Sequence, residues 1–149
     1  MARCVWRRWR PIAEGTLGTG GAFVLERTYV WGSDQSGTLD GSAGVGGLLA
    51  LTLYKSGGPV TYVPIYDGNG NITAYVDAGT AQVAATFEYA PFGGVLGVWY
   101  SSDTVKADLA SAPRFSTKLF DTVSGLYCFG YRWYDPVTGR WLSRDPRPC

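Results

Sequence analysis

The chain has 149 residues and a formal charge of +1, enough length for one domain with a sizeable core and no electrostatic bias toward nucleic acid or an acidic membrane. Gly supplies 21 residues and aromatics 15%, whereas charged residues reach only 17%, against about 25% in ordinary globular chains. Without a single histidine a Ser-His-Asp site cannot be assembled, and Cys4, Cys128 and Cys149 are too widely spaced to suggest a disulfide framework or a metal site.

Residues 1–24 read as a basic, Gly-rich segment expected to be poorly ordered. Its start, "RCVWRRWR" (3–10), interleaves Arg3, Arg7, Arg8 and Arg10 with Trp6 and Trp9, a chemistry that suits phosphates or lipid headgroups. No apolar h-region follows, so no signal peptide is expected, and no apolar run approaches the ~18 residues of a membrane span. "PIAEGTLGTGG" (11–21) has the composition of a linker. Strands are expected at 22–31, 48–54 and 60–66, with a Gly-rich loop at 32–47. Pro64 places the third of these at a sheet edge or a bulge. "DGNG" (67–70) is a turn, "NITAYVD" and "AQVAATFEY" form a hairpin about "AGT", and "GVLGVWY" resumes the strand pattern. One short helix is expected within 102–111, capped by Ser102 or Asp103.

The end of the chain repeats itself. "FDTVSGLY" (120–127) and "YDPVTGRW" (134–141) match at an offset of fourteen residues, and "YDGNGNI" (66–72) is a shorter relative. Each couples an aromatic residue to an Asp that can bond the backbone two residues on, then to a Gly suited to left-handed geometry. Successive β-hairpins follow, and with them a stacked or spiral sheet. Tyr127, Phe129, Tyr131 and Trp133 fall on alternate positions, so an extended strand would present them on one face. Cys128 between them reads as a small apolar filler.

These blocks resemble the Rhs-repeat-associated core of the bacterial YD-repeat (Rhs) proteins. The likeness is carried by "RTYVWGSDQSGTLDGSAGVGGLLAL" (27–51), "YDGNGNITAYVDAG" (66–79), "FEYAPFG" (87–93) and "RFSTKLFDTVSGLYCFGYRWYDPVTGRWLSRDP" (114–146). The resemblance implies a core at 25–146 and a truncated tail at 147–149. It also implies an all-β fold of antiparallel hairpins, the plug of a spiral β-shell that encloses a C-terminal toxin. Polymorphic toxins, insecticidal toxin-complex subunits and, more distantly, teneurins share that architecture. Expected partners are the upstream YD-repeat shell and the toxin, with self-association through exposed strand edges. Intact relatives are secreted or cell-surface proteins.

The family's self-cleavage is attributed to an Arg and an Asp that correspond here to Arg132 and Asp145. A guanidinium can hold and ionise a carboxylate that acts on a nearby peptide. The chain stops at "RPC", so the scissile bond is expected to be missing and the pair to be structural. Three functions therefore stand side by side: a non-enzymatic structural module, a surface- or carbohydrate-binding module using Trp99, Trp133 and Trp141, and a remnant autoprotease. No cofactor is implied. "DGNGN" lacks the continuation of a calcium loop, and "GTGG" and "GVGG" lack the Lys of a phosphate loop.

Overall fold

The structure, a computed structural model, describes residues 2–144, with side chains from residue 4 onward. Within them the chain is all-β apart from one short helix, in line with the sequence. Eight strands run in chain order as one antiparallel sheet: β1 (Ala2–Arg7), β2 (Arg10–Leu17), β3 (Phe23–Trp31), β4 (Leu48–Lys55), β5 (Gly58–Tyr66), β6 (Ile72–Asp77), β7 (Val83–Tyr89) and β8 (Val95–Tyr100). Helix α1 (Asp103–Leu109) and a tight turn at Phe115–Thr117 lead to a second antiparallel sheet of four short strands. These are β9 (Leu119–Phe120), β10 (Tyr127–Cys128), β11 (Trp133–Asp135) and β12 (Arg140–Trp141).

Local chemistry sets many of the boundaries. Asp67 accepts the backbone N–H groups of Asn69 and Asn71, each at 2.9 Å, and so closes the β5–β6 turn. The two fourteen-residue copies repeat the device. Asp121 accepts from Val123 ahead of Gly125 at φ +74°, and Asp135 accepts from Val137 ahead of Gly139 at φ +66°. Each copy closes one hairpin, β9–β10 and β11–β12. Ser102 caps α1 by accepting the Val105 N–H at 3.2 Å.

The N-terminal segment differs from its expectation. Residues 2–17, read as part of a poorly ordered start, form β1 and β2, which pair from Ala2↔Thr16 to Arg7↔Arg10. Strand β2 in turn pairs with β3 from Ala13↔Thr28 to Leu17↔Phe23. Gly and Arg carry little intrinsic strand preference, so the pairing edge of β3 supplies what local sequence does not. Gly15, which reads as linker glycine, sits at a register shift after Glu14, where a Cβ would lie only 2.1 Å from the Val24 carbonyl oxygen. It is a bulge glycine.

Pro64 needs a partial correction. Strand β5 is interior, flanked by β4 and β6, and not an edge. Its ladder to β4 ends at Leu51↔Tyr62, so the missing Pro64 N–H leaves no β4 partner unanswered. The bulge half of the expectation fits, because the register to β6 shifts between Ile65 and Tyr66.

One face of the sheet is buried, with Leu51, Leu53, Tyr62, Tyr75, Ala85 and Phe87 packed together beneath Leu109 of α1 and Ala112. Helix α1 is too short to be stable alone. It is anchored by Asp108, whose carboxylate accepts from Tyr62 Oη at 2.8 Å and Lys55 Nζ at 2.6 Å. The opposite face leaves Val30, Val63, Ile65 and Trp99 exposed. Among the described residues, the outer edges of β1 and β8 pair with no further strand.

Candidate functional site

The turn between α1 and the small sheet gathers the most unusual local chemistry. Ser116 and Thr117 adopt φ +51° and +56°, the left-handed region that non-glycine residues rarely occupy. Two separated segments, residues 70–71 and Gly46, hold them there. Ser116 N–H donates to Asn71 Oδ1, Thr117 Oγ1 donates to the Gly70 carbonyl, and Gly46 N–H donates to Thr117 Oγ1, all at 2.8 Å. The loop at 32–47 is itself organised by buried Asp34. Burial pushes that carboxyl up, but hydrogen bonds from Ser36, Ser42 and Gly44 outweigh it and hold the group at about 2.

A buried cation stands at each end of this turn. The Arg114 guanidinium lies between the rings of Phe87 and Phe120, 4.6 and 4.7 Å from their centroids. Its Nη2 donates to Tyr100 Oη at 2.7 Å and to the Ala110 carbonyl at 2.6 Å, at the C-terminus of α1. Lys118 Nζ donates to the Ala43 carbonyl at 2.6 Å and lies 5.4 Å from the Phe129 ring.

Burial pulls the Lys118 amine down from 10.5 to about 8, although Cys128 and Asp34 favour its charged form. The folded value lies below the unfolded one, so between those limits the unfolded chain holds the extra proton and stability rises with pH. We expect the melting temperature to climb from about pH 7 to about pH 9. Above that the gain is offset, because burial raises Cys4 from 9.0 to about 12 and the unfolded thiol ionises first. Lys118→Met should flatten the rise, and thermal melts across the range check it. A wild-type profile already flat would show that the buried ammonium is fully compensated.

Aromatic rings connect the two sheets. Phe115 lies 6.0 Å from Tyr89, 5.8 Å from Tyr127 and 6.1 Å from Tyr134, stacked on the last at an interplanar angle of 12°. Tyr134 continues the column to Trp141 at 5.2 Å, and Trp141 meets Phe129 at 4.8 Å. The wall of four alternate rings expected from the sequence is not a single strand face. The chain reverses at Gly130, where Phe129 N–H donates to the Arg132 carbonyl at 2.9 Å. Tyr127 is fully buried, Phe129 is half-buried, and Tyr131 and Trp133 are 76% and 41% exposed. A two-residue alternation cannot survive a turn with positive φ in its middle.

Arg132 lies just before β11, with its guanidinium 4.0 Å from the centroid of the Trp141 ring. Asp145, the other member of the expected pair, lies outside the described residues. Cys128 lines a cavity with Trp6, Phe120 and Trp133, and Trp99 and Trp141 are both exposed. Sequence reasoning gave no role to Arg114, Lys118 or Asp108. The signal available was charge set among apolar residues, as in "APRFSTKLF". Among the described residues no group of three or more His, Cys, Asp or Glu gathers to hold a metal ion, and no helix is long and apolar enough to cross a membrane.

No protein-family model matches the chain. Over 68 residues it is 43% identical to the toxin subunit YenC1 of Yersinia entomophaga and 40% identical to the toxin subunit YenC2 of the same organism. Those matches cover 46% of this chain and 7% of each relative, so the chain spans a small fraction of their length. Solved structures of TcdB2-TccC3, with and without its hypervariable C-terminal region, superpose on 93% of this chain at a TM-score of 0.62. They share 19% and 20% identity with it and are matched over 7% of their own length, a likeness of fold. Nearly half of this chain is therefore homologous to bacterial toxin subunits, and its two-sheet fold recurs as a small part of a far larger protein.

Proposed function

We propose that the chain is a non-enzymatic structural module, the C-terminal core that closes an Rhs-type YD-repeat shell around a toxin in a secreted protein. One observation carries this reading. Among the described residues, the eight-stranded sheet has two open edges and an exposed apolar face, as a slice of a continuous shell would. The homology to toxin subunits and the fold shared with 7% of TcdB2-TccC3 support it. In this role α1, the turn at 114–118 and the aromatic column lock the small sheet onto the large one. Arg132 and Asp145 would be the positions that cut the chain in relatives. Extending the chain with a relative's segment beyond the cleavage point, with Arg132→Ala and Asp145→Asn alongside, tests that assignment.

The module itself is tested by separating it from neighbours. Expressed alone, the chain should self-associate and melt below ~65 °C, the upper end for mesophile domains. Grafted in place of the matching segment of YenC1, it should give a soluble, protease-resistant chimaera. An isolated monodisperse monomer melting above that temperature, together with an insoluble chimaera, would overturn the reading.

A further inference from the structure

We propose that the cleft between the β1–β2 turn and the β10–β11 turn binds a neutral oligosaccharide. Two cavities adjoin there and share Trp6 as a common wall. One, of about 270 Å³, is lined by Trp6, Arg8, Trp9, Gly130 and Tyr131. The other, of about 320 Å³, adds Glu14, Ser111, Phe120, Asp121 and Trp133. Together they fall within the ~300–1,000 Å³ typical of small-molecule sites.

The first cavity is built, not incidental. Arg8 takes φ +55° in the turn between β1 and β2, a costly conformation for a residue with a Cβ. Asp40 restrains it, pairing with Arg8 and Arg10 at 2.7 Å each. That turn drives Trp9 onto Gly130, where a Cβ would lie 2.5 Å from the indole. Trp9 then meets Tyr131 edge-on at 4.7 Å, which fixes one side of a ring that is otherwise exposed. A ring held in advance loses little freedom when a ligand stacks on it.

The chemistry of the walls selects the ligand. Trp6, Tyr131 and Trp133 expose ring surface that can cover the C–H face of a pyranose. Around them stand carboxylates from Glu14 and Asp121, a hydroxyl from Ser111 and the Arg8 guanidinium. Charges of both signs disfavour a strongly charged ligand at either end. Glu14 accepts from the Tyr29 hydroxyl and Asp121 from Val123 and Ser124, yet each carboxylate keeps further lone pairs that only a donor can use, and sugar hydroxyls supply donors. A proline-rich peptide would also suit aromatic walls, but proline has no N–H to offer them.

Saturation-transfer difference NMR on the full chain tests the proposal, since it reads the ligand and tolerates an oligomeric protein. The probes are cellohexaose, chitohexaose, maltohexaose and a proline-rich peptide of similar length. Transfer to at least one sugar is expected, with affinity about tenfold weaker in Tyr131→Ala and in Trp133→Ala. Tyr131→Phe keeps the ring and should keep binding. Trp99→Ala removes an exposed indole that lines neither cavity and should change nothing. No transfer to any sugar, transfer to the peptide alone, or sugar transfer unaffected by Tyr131→Ala would each overturn the assignment.

Discussion

Arg114→Ala is expected to lower the unfolding free energy by about 3–4 kcal/mol, a large part of the 5–15 kcal/mol typical of a domain. The side chain is 4% exposed and fills the space between Phe87 and Phe120, so truncation leaves a cavity lined by two rings. It also strands the Ala110 carbonyl and the Tyr100 hydroxyl, each hydrogen-bonded to Nη2 and each worth about 1 kcal/mol or more. Arg114→Met separates these contributions, because a thioether refills the slot but cannot donate. It should recover about half of the loss, since burying a guanidinium is itself costly. Urea unfolding measures both. A loss below about 1 kcal/mol for Arg114→Ala would mean that the two rings close over the gap.

Asp108→Ala should cost about 2–3 kcal/mol, somewhat less than the 3–5 kcal/mol for breaking a fully buried pair. The discount follows from Lys55, whose side chain is 32% exposed and can turn its ammonium to water once the carboxylate is gone. Tyr62 is buried and cannot follow, so its hydroxyl loses its partner. Asp108→Asn retains an acceptor for Tyr62 and should lose about half as much. Because α1 depends on this anchor, amide exchange in residues 103–109 should accelerate more than exchange in the central strands. Equal acceleration throughout would show that the helix and the sheet unfold only together. A double-mutant cycle with Lys55→Met should return a coupling of about 1 kcal/mol, as expected for contacting groups.

Elements whose determinants lie within a few residues were legible in the sequence. The Asp67, Asp121 and Asp135 turns need only a carboxylate reaching backbone N–H groups two residues on, followed by a glycine. The helix cap at Ser102 and the apolar strand segments that became β4 and β7 are local in the same sense. Tertiary structure decided what depends on a distant partner. Residues 2–17 become strands because β3 offers an edge to β2 and β2 in turn offers one to β1, and no window of that basic, Gly-rich stretch contains the information. The aromatic run at 127–133 was legible as rings on alternate positions, yet Gly130 turns the chain so that Tyr127 is buried while Tyr131 faces Trp9. Arg114 and Lys118 look like ordinary surface charges until Phe87, Ala43 and Phe129 close around them. The physical division is one of range. Turn and cap hydrogen bonds are satisfied by the chain's own neighbours, whereas burial of a cation or a ring is fixed only when remote segments meet.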